Sequence, residues 1–468
     1  PAVVDAMARL LQQFGTKSLA EVLAPAIELA DGFPVYDMLR SSLVFNREPT
    51  QIWQWARRTY YPQGRIPEVG EMFRQPNLAA TLRALAAAEQ SALKNGSDRA
   101  AAIEAGRDVF YKGDIARRIA AAVDADGGLL SYEDLATYKG RIEPAITTRF
   151  QGYDIHKAGF WSQGPALLMT LNILDAAGIS GMRLRSEQYL HTLVEAIKLA
   201  FDDRNACFGD PLFAKIPAEG LLSRSYAVER AALIGETASH EHRYGNPWAH
   251  QSGSRRPANP FRPRVLRAPG PPTADTTAIE VVDAQGNLFS CTPSSGWLMG
   301  GAYIAGDTGI PLSNRMPVFD LDPASPNVLA GGKRPRTTLT PTIVTRDGKP
   351  YLAIGTPGGD SQDQQIANVL LNLILGRMSL QQAIEAPRIE SAHFHESFAE
   401  KQDAPGVVEV ENRIPMEVLG GLSRRGHRIR LVADYGAATG IVAAGVDPRF
   451  GTLRAGADVR GERYAFGW

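Results

Sequence analysis

The chain of 468 residues has little cysteine, no net charge and no long apolar run. Its two cysteines, Cys207 and Cys291, belong to no CxxC pair and no Cys/His array, which argues against a structural zinc site or a disulfide scaffold. The 50 Lys and Arg residues balance 50 Asp and Glu residues, which disfavours an electrostatic binder of nucleic acid or of an anionic membrane. The longest apolar run, Val369 to Leu375, contains an asparagine and is far shorter than a bilayer span.

The hydrophobic content of 44% is high enough for a large core, and the length suggests two or more domain-sized units. Apolar periodicity predicts helices early in the chain and mainly strands after Thr276. This order favours layered helix and sheet, an α+β fold, over alternating βαβ units. The main predicted helices are residues 2–14, 18–30, 78–94, 100–111, 115–123, 166–177, 187–205, 362–375 and 380–386, and the predicted strands are 149–156, 340–345, 351–355 and 440–446.

The stretch from Thr273 to Asp283 joins two different kinds of sequence. Upstream, residues 255–272 are rich in Pro, Arg and Gly and lack apolar periodicity, which is typical of a flexible tether. Downstream, residues 278–292 predict a β-hairpin with a Gly-Asn turn. If the bond before Thr276 were cut, this threonine would become an N-terminal nucleophile, with its own α-amine as the base.

Two glycines, Gly358 and Gly359, lie between an apolar strand and a helix that begins near Gln362. Free backbone N–H groups at such a helix N-terminus are what an oxyanion hole requires. Glycine is also the default residue of an ordinary strand-to-helix turn, so both interpretations stay open from this segment alone. The segment is not a P-loop, because the Gly-Lys-Ser/Thr ending is absent.

Further residues carry chemical groups without a decisive pattern. The loop Lys333 to Pro341 combines cations with hydroxyl groups and could hold a carboxylate, but a solvated basic turn fits its composition equally well. The eight histidines, including His242, His393 and His395, show no metal-ligand spacing, so we expect them at the surface or in the linker. Ser162 does not form a GxSxG nucleophile elbow, because one residue too many precedes it.

Taken together, these segments resemble the γ-glutamyltranspeptidase family of N-terminal nucleophile hydrolases, and the likeness runs over nearly the whole chain. So many segments in the family's order are more specific than any one of them. The segments that carry the resemblance are Ser18 to Ile27 with Gly32 to Val35, Phe110 to Gly113 with Gly127 to Leu130, Ala200 to Arg204 with Gly209 to Pro211, Asp275 to Thr277, Lys333 to Pro335, Thr337 with Thr338, Pro341 to Val344, and Pro357 to Gly359.

The resemblance implies a four-layer αββα sandwich made as one precursor that cuts itself before Thr276. The products would be a helix-rich large subunit of residues 1–275, ending in the linker, and a strand-rich small subunit of residues 276–468. The two would be intertwined as one domain and partner each other as a heterodimer. By resemblance, the site residues are the nucleophile Thr276, the oxyanion-hole pair Gly358 and Gly359, Ser294 near the nucleophile's amine, Thr337 and Thr338 for the substrate carboxylate, and Arg315 and Asn314 in the substrate pocket.

The chain departs from the family pattern around the substrate's ammonium group. Val318 stands where the family has an aspartate that holds this group, Arg315 where it has a glutamine, and Gly296 where it has an asparagine. Ala278 and Ile279 replace the histidine and the aromatic residue that commonly follow the threonine pair. The family's early segment with a carboxylate-binding arginine is expected before these residues begin. The departures point away from strict γ-glutamyl specificity and leave the amide-cleaving residues in place.

The sequence therefore predicts an autoprocessed amidohydrolase or acyltransferase that acts on a γ-glutamyl or related acyl amide, a small-molecule substrate, and needs no cofactor and no metal. One alternative is an acylase for glutaryl or cephalosporin-type amides, and another is a non-catalytic member that serves as a binding module. Neither a nucleic-acid partner nor membrane insertion is expected. The resemblance implies a periplasmic or secreted protein, and a cytoplasmic location stays open as the alternative.

Overall fold

The computed structural model describes residues 2–253, 256–257, 260–264, 276–295, 303–398, 401–437 and 439–468. The chain forms two compact units, one of residues 1–142 with 295–314 and one of residues 143–294 with 315–468. Most of the predicted linker, and Asp275 before the predicted cleavage point, lie outside the described residues. The predicted cleavage between residues 275 and 276 differs from this division into units, because the bond lies within the second unit. The two subunits, residues 1–275 and 276–468, stay a prediction.

The first unit is mainly helical, as its apolar periodicity predicts. Its second helix begins with the predicted capping box between Ser18 and Glu21, and the Glu89 carboxylate accepts the N–H of Leu19 at 2.7 Å. Its helices are Ala2–Phe14, Leu19–Asp31, Asp37–Phe45, Arg47–Ile52, Gln54–Tyr60, Pro76–Lys94, Arg99–Tyr111, Asp114–Ala125 and Tyr132–Ala136, and its strands are Phe33–Pro34 and Met72–Phe73.

A six-stranded antiparallel sheet forms the centre of the second unit. Residues 149–156, predicted as one strand, instead end one strand and begin the next. The prediction was wrong because Gln151 (φ 50°) and Gly152 (φ 86°) both adopt the left-handed conformation, which makes a tight hairpin turn. The strand order is Leu453–Ala457, Val442–Val446, Lys349–Gly355, Thr342–Arg346, Tyr153–Lys157, Ile146–Phe150.

Helices cover one face of this sheet, and a hairpin packs near strand Lys349–Gly355. Side chains alternate along a strand, so Leu352 and Ile354 point into the helical core while Gly355 meets Ala278 of the hairpin. The helices of this unit are Pro165–Ala176, Glu187–Cys207, Ala218–Leu222, Arg224–Ala231, Ser361–Ile374, Leu380–Glu385 and Met416–Arg424, the hairpin strands are Ile279–Val282 and Leu288–Cys291, and a smaller sheet contains Ile389–Ser391, Val407–Glu411 and Arg428–Val432. Among the described residues, no helix has both the length and the apolar character that a membrane crossing requires.

Candidate active site

Thr276 lies at the entrance to the hairpin, opposite Ser294. The two arms continue to pair beyond the strands, since the N–H of Thr277 donates to the carbonyl oxygen of Pro293 at 3.1 Å. The Thr276 hydroxyl donates to Oγ of Ser294 at 3.1 Å, and both side chains are half-buried. The predicted nucleophile and the predicted residue near its amine are therefore brought together.

The hairpin packs on the strand that leads to the glycine pair. A Cβ atom at Gly355 would lie 3.1 Å from Cβ of Ala278 and 2.2 Å from Oε1 of Glu280, so only glycine leaves room for this contact. Gly355 is three residues before Gly358, and Ala278 is two residues after Thr276. The local packing thus places the threonine segment and the glycine segment beside each other.

The turn at Gly358 and Gly359 has backbone angles that favour glycine, with φ values of 124° and 55°. It opens the helix Ser361–Ile374, and the N–H of Ser361 donates to the carbonyl oxygen of Gly358 at 3.0 Å. When the Gln362 amide is oriented so that both of its ends have partners, its oxygen accepts the N–H of Gly359 at 3.3 Å. The Gly359 N–H is thus directed toward a neutral side chain in this conformation.

Gln163 and Gln362 connect this turn with the loop that carries Thr337 and Thr338. The backbone N–H of Gln163 donates to the carbonyl oxygen of Thr337 at 2.8 Å, and its side chain donates to that of Gly359 at 2.9 Å. In the same orientation as above, the amide nitrogen of Gln362 donates to the carbonyl oxygen of Thr338 at 3.0 Å. Both glutamines are fully buried, so the two site segments are held as one rigid arrangement.

The hydroxyl groups of Thr337 and Thr338 are buried, and neither has a hydrogen-bond partner among the described residues. An unsatisfied buried hydroxyl costs about 1–3 kcal/mol, so a pair of them beside a glycine turn indicates a place for a polar ligand. This geometry is compatible with the predicted carboxylate contact. The assignment itself stays a prediction.

The two predicted pocket residues Arg315 and Asn314 lie in different units. Asn314 ends the first unit, where its N–H donates to the carbonyl oxygen of Ser295 at 3.0 Å. Arg315 and Val318 are buried in the second unit, and the carbonyl oxygen of Val318 accepts from Nζ of Lys401 at 2.9 Å. Val318 therefore supplies an apolar side chain, and no carboxylate, at the position where the family has an aspartate for the substrate's ammonium group. Gly296 lies outside the described residues.

Sequence reasoning passed over the residues that support the site. Gln163 follows Ser162 in a segment that the sequence analysis treated only as a nucleophile elbow and rejected. The Ser162 hydroxyl donates to the carbonyl oxygen of Gly159 at 3.0 Å. Glu280 is a second such supporting residue, and its carboxyl oxygens are buried beside Gly355. Burial raises the pKa of its carboxyl to about 9, and the nearby Lys157 ammonium does not offset this rise. The sequence signal for this buried acid was a glutamate within the otherwise apolar strand Ile279–Val282.

The expectation that the histidines lie at the surface was wrong for four of them, His191, His393, His395 and His427, which are buried. His393 and His395 pack around His242, whose Nδ1 and Nε2 lie 2.7 Å from Asp202 and 2.8 Å from Asp403. Burial lowers the pKa of His242, but the hydrogen bonds to these two carboxylates outweigh it and raise the pKa above its usual value. The two carboxylates therefore favour the protonated imidazolium of His242 over the neutral ring.

Two groups that share His242, one with Asp202 and His393 and one with His395 and Asp403, each have donor atoms within 4.8 Å of one another, as in a metal site. However, the rings of His242 and His395 stack at 4.4 Å with an interplanar angle of 23°, whereas an ion must lie in the plane of each ring that binds it. In addition, the N–H of Gly406 donates to Nδ1 of His393 at 3.1 Å, which leaves the proton of a neutral ring on Nε2. These orientations suit an ion-pair cluster better than a metal centre.

Comparison with known proteins agrees with the fold and with the order of these segments. The model of the gamma-glutamyltranspeptidase family matches residues 1–468. The glutathione hydrolase-like YwrD proenzyme of Bacillus subtilis (strain 168) is 33% identical over 468 residues, which is 100% of this chain and 80% of that protein. The solved structure of LmbA2991HD is 36% identical with a TM-score of 0.88, covering 99% of this chain and 81% of the other. The cephalosporin acylase from Bacillus halodurans is 29% identical with a TM-score of 0.80, covering 99% and 77%.

The fold defines an α+β protein of the N-terminal nucleophile hydrolase class, with the four-layer αββα sandwich that the sequence predicts. The chain belongs to the γ-glutamyltranspeptidase family. It is an enzyme of the hydrolase and acylase type that this family comprises.

Proposed function

We propose that the enzyme is an autoprocessed amidohydrolase or acyltransferase that cleaves a γ-glutamyl or related acyl amide through an acyl-enzyme on Thr276. The observation that carries the proposal is the hydrogen bond from the Thr276 hydroxyl to Ser294, on a hairpin packed against the strand that leads to Gly358 and Gly359. Self-cleavage would start when Thr276 Oγ attacks the preceding carbonyl carbon and turns the peptide bond into an ester. Water would then split the ester and leave a heterodimer of residues 1–275 and 276–468.

In the processed enzyme, the free amine of Thr276 is the base. An unshifted α-amine has a pKa of about 7.7–8.0, so a substantial fraction is unprotonated at neutral pH. It takes the proton of Thr276 Oγ as the oxygen attacks the amide carbonyl, and it returns a proton to the departing amine. The remaining acyl ester on Thr276 is released by water as an acid, or by an amine as a new amide.

The glycine turn would stabilise the tetrahedral intermediate. Its oxyanion is charged, and charge-assisted hydrogen bonds are roughly twice as strong as neutral ones. The oxyanion would therefore draw the Gly359 N–H away from its 3.3 Å contact with Gln362. The buried hydroxyls of Thr337 and Thr338 would donate hydrogen bonds to the carboxylate of the acyl group and align its carbonyl with Thr276.

Two acyl classes compete for this site. The relatives include a glutathione hydrolase-like proenzyme and a cephalosporin acylase, and a γ-glutamyl donor differs from a glutaryl donor by its ammonium group. An ammonium ion needs a carboxylate partner when it is buried, and Val318 supplies none. This observation favours a glutaryl-type acyl group within the same mechanism.

Trapping of the acyl-enzyme tests the proposal. Processed protein is mixed with glutaryl or γ-glutamyl p-nitroanilide, quenched in acid and analysed by intact mass. We expect p-nitroaniline release and an acyl adduct on the fragment that begins at Thr276. A fully processed protein that releases the aniline without ever carrying the adduct, or that cleaves neither donor, would contradict the proposal.

A further inference from the structure

A buried cluster of charges lies directly behind the glycine turn. Asp360 follows Gly359 and makes an ion pair with Arg204. The N–H of Ser397 donates to Asp360 Oδ2 at 2.7 Å. Lys401 is buried nearby and lies 3.7 Å from the Asp320 carboxylate. Each of these two carboxylates thus already has its own cation.

Arg336 is the third cation of this cluster, and its side chain is only 3% exposed. Its guanidinium donates to Oδ1 of Asn205 at 3.0 Å, to Oγ of Ser397 at 3.2 Å and to the carbonyl oxygen of Arg204 at 3.4 Å. Within the described part of the chain it makes no ion pair with a carboxylate, and its Nε has no hydrogen-bond partner. Among the described residues named here, the three cations Arg204, Lys401 and Arg336 face the two carboxylates Asp320 and Asp360, which leaves one positive charge uncompensated within this group.

The side-chain partners of Arg336 do not depend on it. Oδ1 of Asn205 also accepts from Nε and Nη2 of Arg204 at 3.1 and 2.8 Å, and Oγ of Ser397 donates to Oδ1 of Asp360 at 2.6 Å. Burial, followed by repulsion from Arg204, lowers the pKa of Arg336 to about 10, so it remains charged at neutral pH. A buried charge that satisfies no carboxylate weakens the folded state, and apolar replacements of such groups are often neutral or stabilising. The fold therefore gives no reason of its own for this charge.

The position of Arg336 in the loop suggests a functional reason for its buried charge. It immediately precedes Thr337 and Thr338, whose buried hydroxyls have no partner among the described residues. Charges in a low-dielectric interior act over several ångströms with little screening by salt. We propose that Arg336 is a specificity-determining residue whose uncompensated charge selects acyl groups that carry a free carboxylate over neutral acyl groups. This inference rests on the proposed function and narrows its substrate class.

Two chromogenic donors of equal chain length test the inference. Glutaryl p-nitroanilide carries a free carboxylate, and pentanoyl p-nitroanilide carries none. We expect Arg336→Met to lower kcat/KM for the glutaryl donor by about tenfold or more while it changes that for the pentanoyl donor by less than about twofold. Arg336→Lys should keep the wild-type preference, because it keeps the charge.

Arg185→Met is the matched control. Arg185 is a half-buried cation whose hydrogen bonds to described residues go to neutral oxygens, those of Asn372 and Pro387 at 3.4 Å each, and burial lowers its pKa as well. Its removal should leave the ratio of the two donors unchanged. An equal loss on both donors in Arg336→Met would show a structural effect, and an unchanged ratio would show no effect of the charge; either result overturns the inference.

Binding of glutarate separates this inference from the proposed function. Calorimetric titration of wild-type and Arg336→Met protein with glutarate needs no turnover. We expect glutarate to bind about tenfold more weakly to the variant. If the wild-type enzyme cleaved neither donor, the proposed function would fail, and weaker glutarate binding by the variant would still support the role of Arg336. Equal affinity in the two proteins would overturn it.

Discussion

The side-chain amide of Gln163 donates to the carbonyl oxygen of Gly359 at 2.9 Å, while its backbone N–H holds Thr337 at 2.8 Å. Replacement by leucine removes the bond to Gly359 and the one that Gln163 Oε1 accepts from Arg204 at 2.8 Å, and it keeps the backbone bond to Thr337. The Gly359 peptide would then turn more freely, and a displacement of about 1 Å at a reacting centre can cost about a hundredfold in rate. We expect Gln163→Leu to lower kcat by about ten- to a hundredfold with a much smaller change in KM, measured by steady-state kinetics.

The control for this variant is Gln381→Leu. Gln381 also donates its amide to a backbone carbonyl, that of Ala457 at 2.8 Å, but its side chain is exposed. This control should leave kcat unchanged. If Gln163→Leu kept wild-type kcat in a folded and processed protein, Gln163 would have no positioning role.

The contact between Thr276 and Ser294 predicts a slower self-cleavage when Ser294 loses its hydroxyl. Oγ of Ser294 accepts a hydrogen bond from the Thr276 hydroxyl at 3.1 Å and so orients the attacking oxygen. A single hydrogen bond contributes about 1 kcal/mol, so Ser294→Ala should slow processing by roughly fivefold or more. Gel electrophoresis of freshly purified protein over time gives the rate. Ser294→Thr keeps the hydroxyl and should process at nearly the wild-type rate, and equal rates for all three proteins would contradict this role.

The buried Glu280 carboxyl predicts a dependence of stability on pH. Its pKa is raised to about 9 in the folded protein by burial, whereas an unfolded glutamate titrates near about 4.3. Between these values the folded state keeps a proton that the unfolded state has lost, so the free energy of unfolding falls as the pH rises. Glu280→Gln removes the contribution of this carboxyl to the pH dependence of the free energy of unfolding. We expect its melting temperature to fall less than that of the wild type between about pH 5 and pH 9.

The exposed Glu417 offers the matched control for the pH experiment. Glu417→Gln should follow the wild-type melting curve across the same range, because the Glu417 side chain is exposed and its replacement removes no buried carboxyl. Parallel pH profiles of wild type and Glu280→Gln would show that Glu280 is ionised in the folded protein.

The apolar side chain of Val318 predicts the donor preference. A γ-glutamyl donor would bury its ammonium group without a carboxylate at this position, and Arg315 would repel it. We therefore expect the processed enzyme to hydrolyse a glutaryl anilide at least as well as the matching γ-glutamyl anilide, judged by kcat/KM. Val318→Asp should shift the ratio toward γ-glutamyl, and Val318→Asn is its uncharged control. A wild-type preference of about tenfold or more for γ-glutamyl, about 1.4 kcal/mol, would contradict this prediction.

The fold could be predicted where apolar periodicity was long and its ends were marked. One example is the helix Glu187–Cys207, which apolar periodicity predicts over residues 187–205. Another is the helix that follows Ser18, whose start is marked by the capping box. The strand predicted at residues 149–156 was wrong because alternation continues across a two-residue turn, and only the backbone angles at Gln151 and Gly152 break it.

The site was predictable only in part, for a physical reason. Motifs such as Gly358 with Gly359 are local in the chain, so a sequence shows them directly. The contacts of Gln163 with Gly359, and of Arg204 with Asp360, span 196 and 156 residues. Nothing in the local sequence of a buried glutamine or arginine says which distant carbonyl or carboxylate it will meet, so its supporting role becomes visible only in the fold.

The most direct test of the central claim is the intact mass of the purified protein. The account predicts two fragments, residues 1–275 and residues 276–468, with Thr276 as the new N-terminus, and a single uncut chain for Thr276→Ala. Thr276→Ser keeps the attacking hydroxyl and should still be cut. A wild-type protein that stays uncut and yet cleaves an acyl amide, or a Thr276→Ala protein that splits at the same bond without added protease, would contradict it.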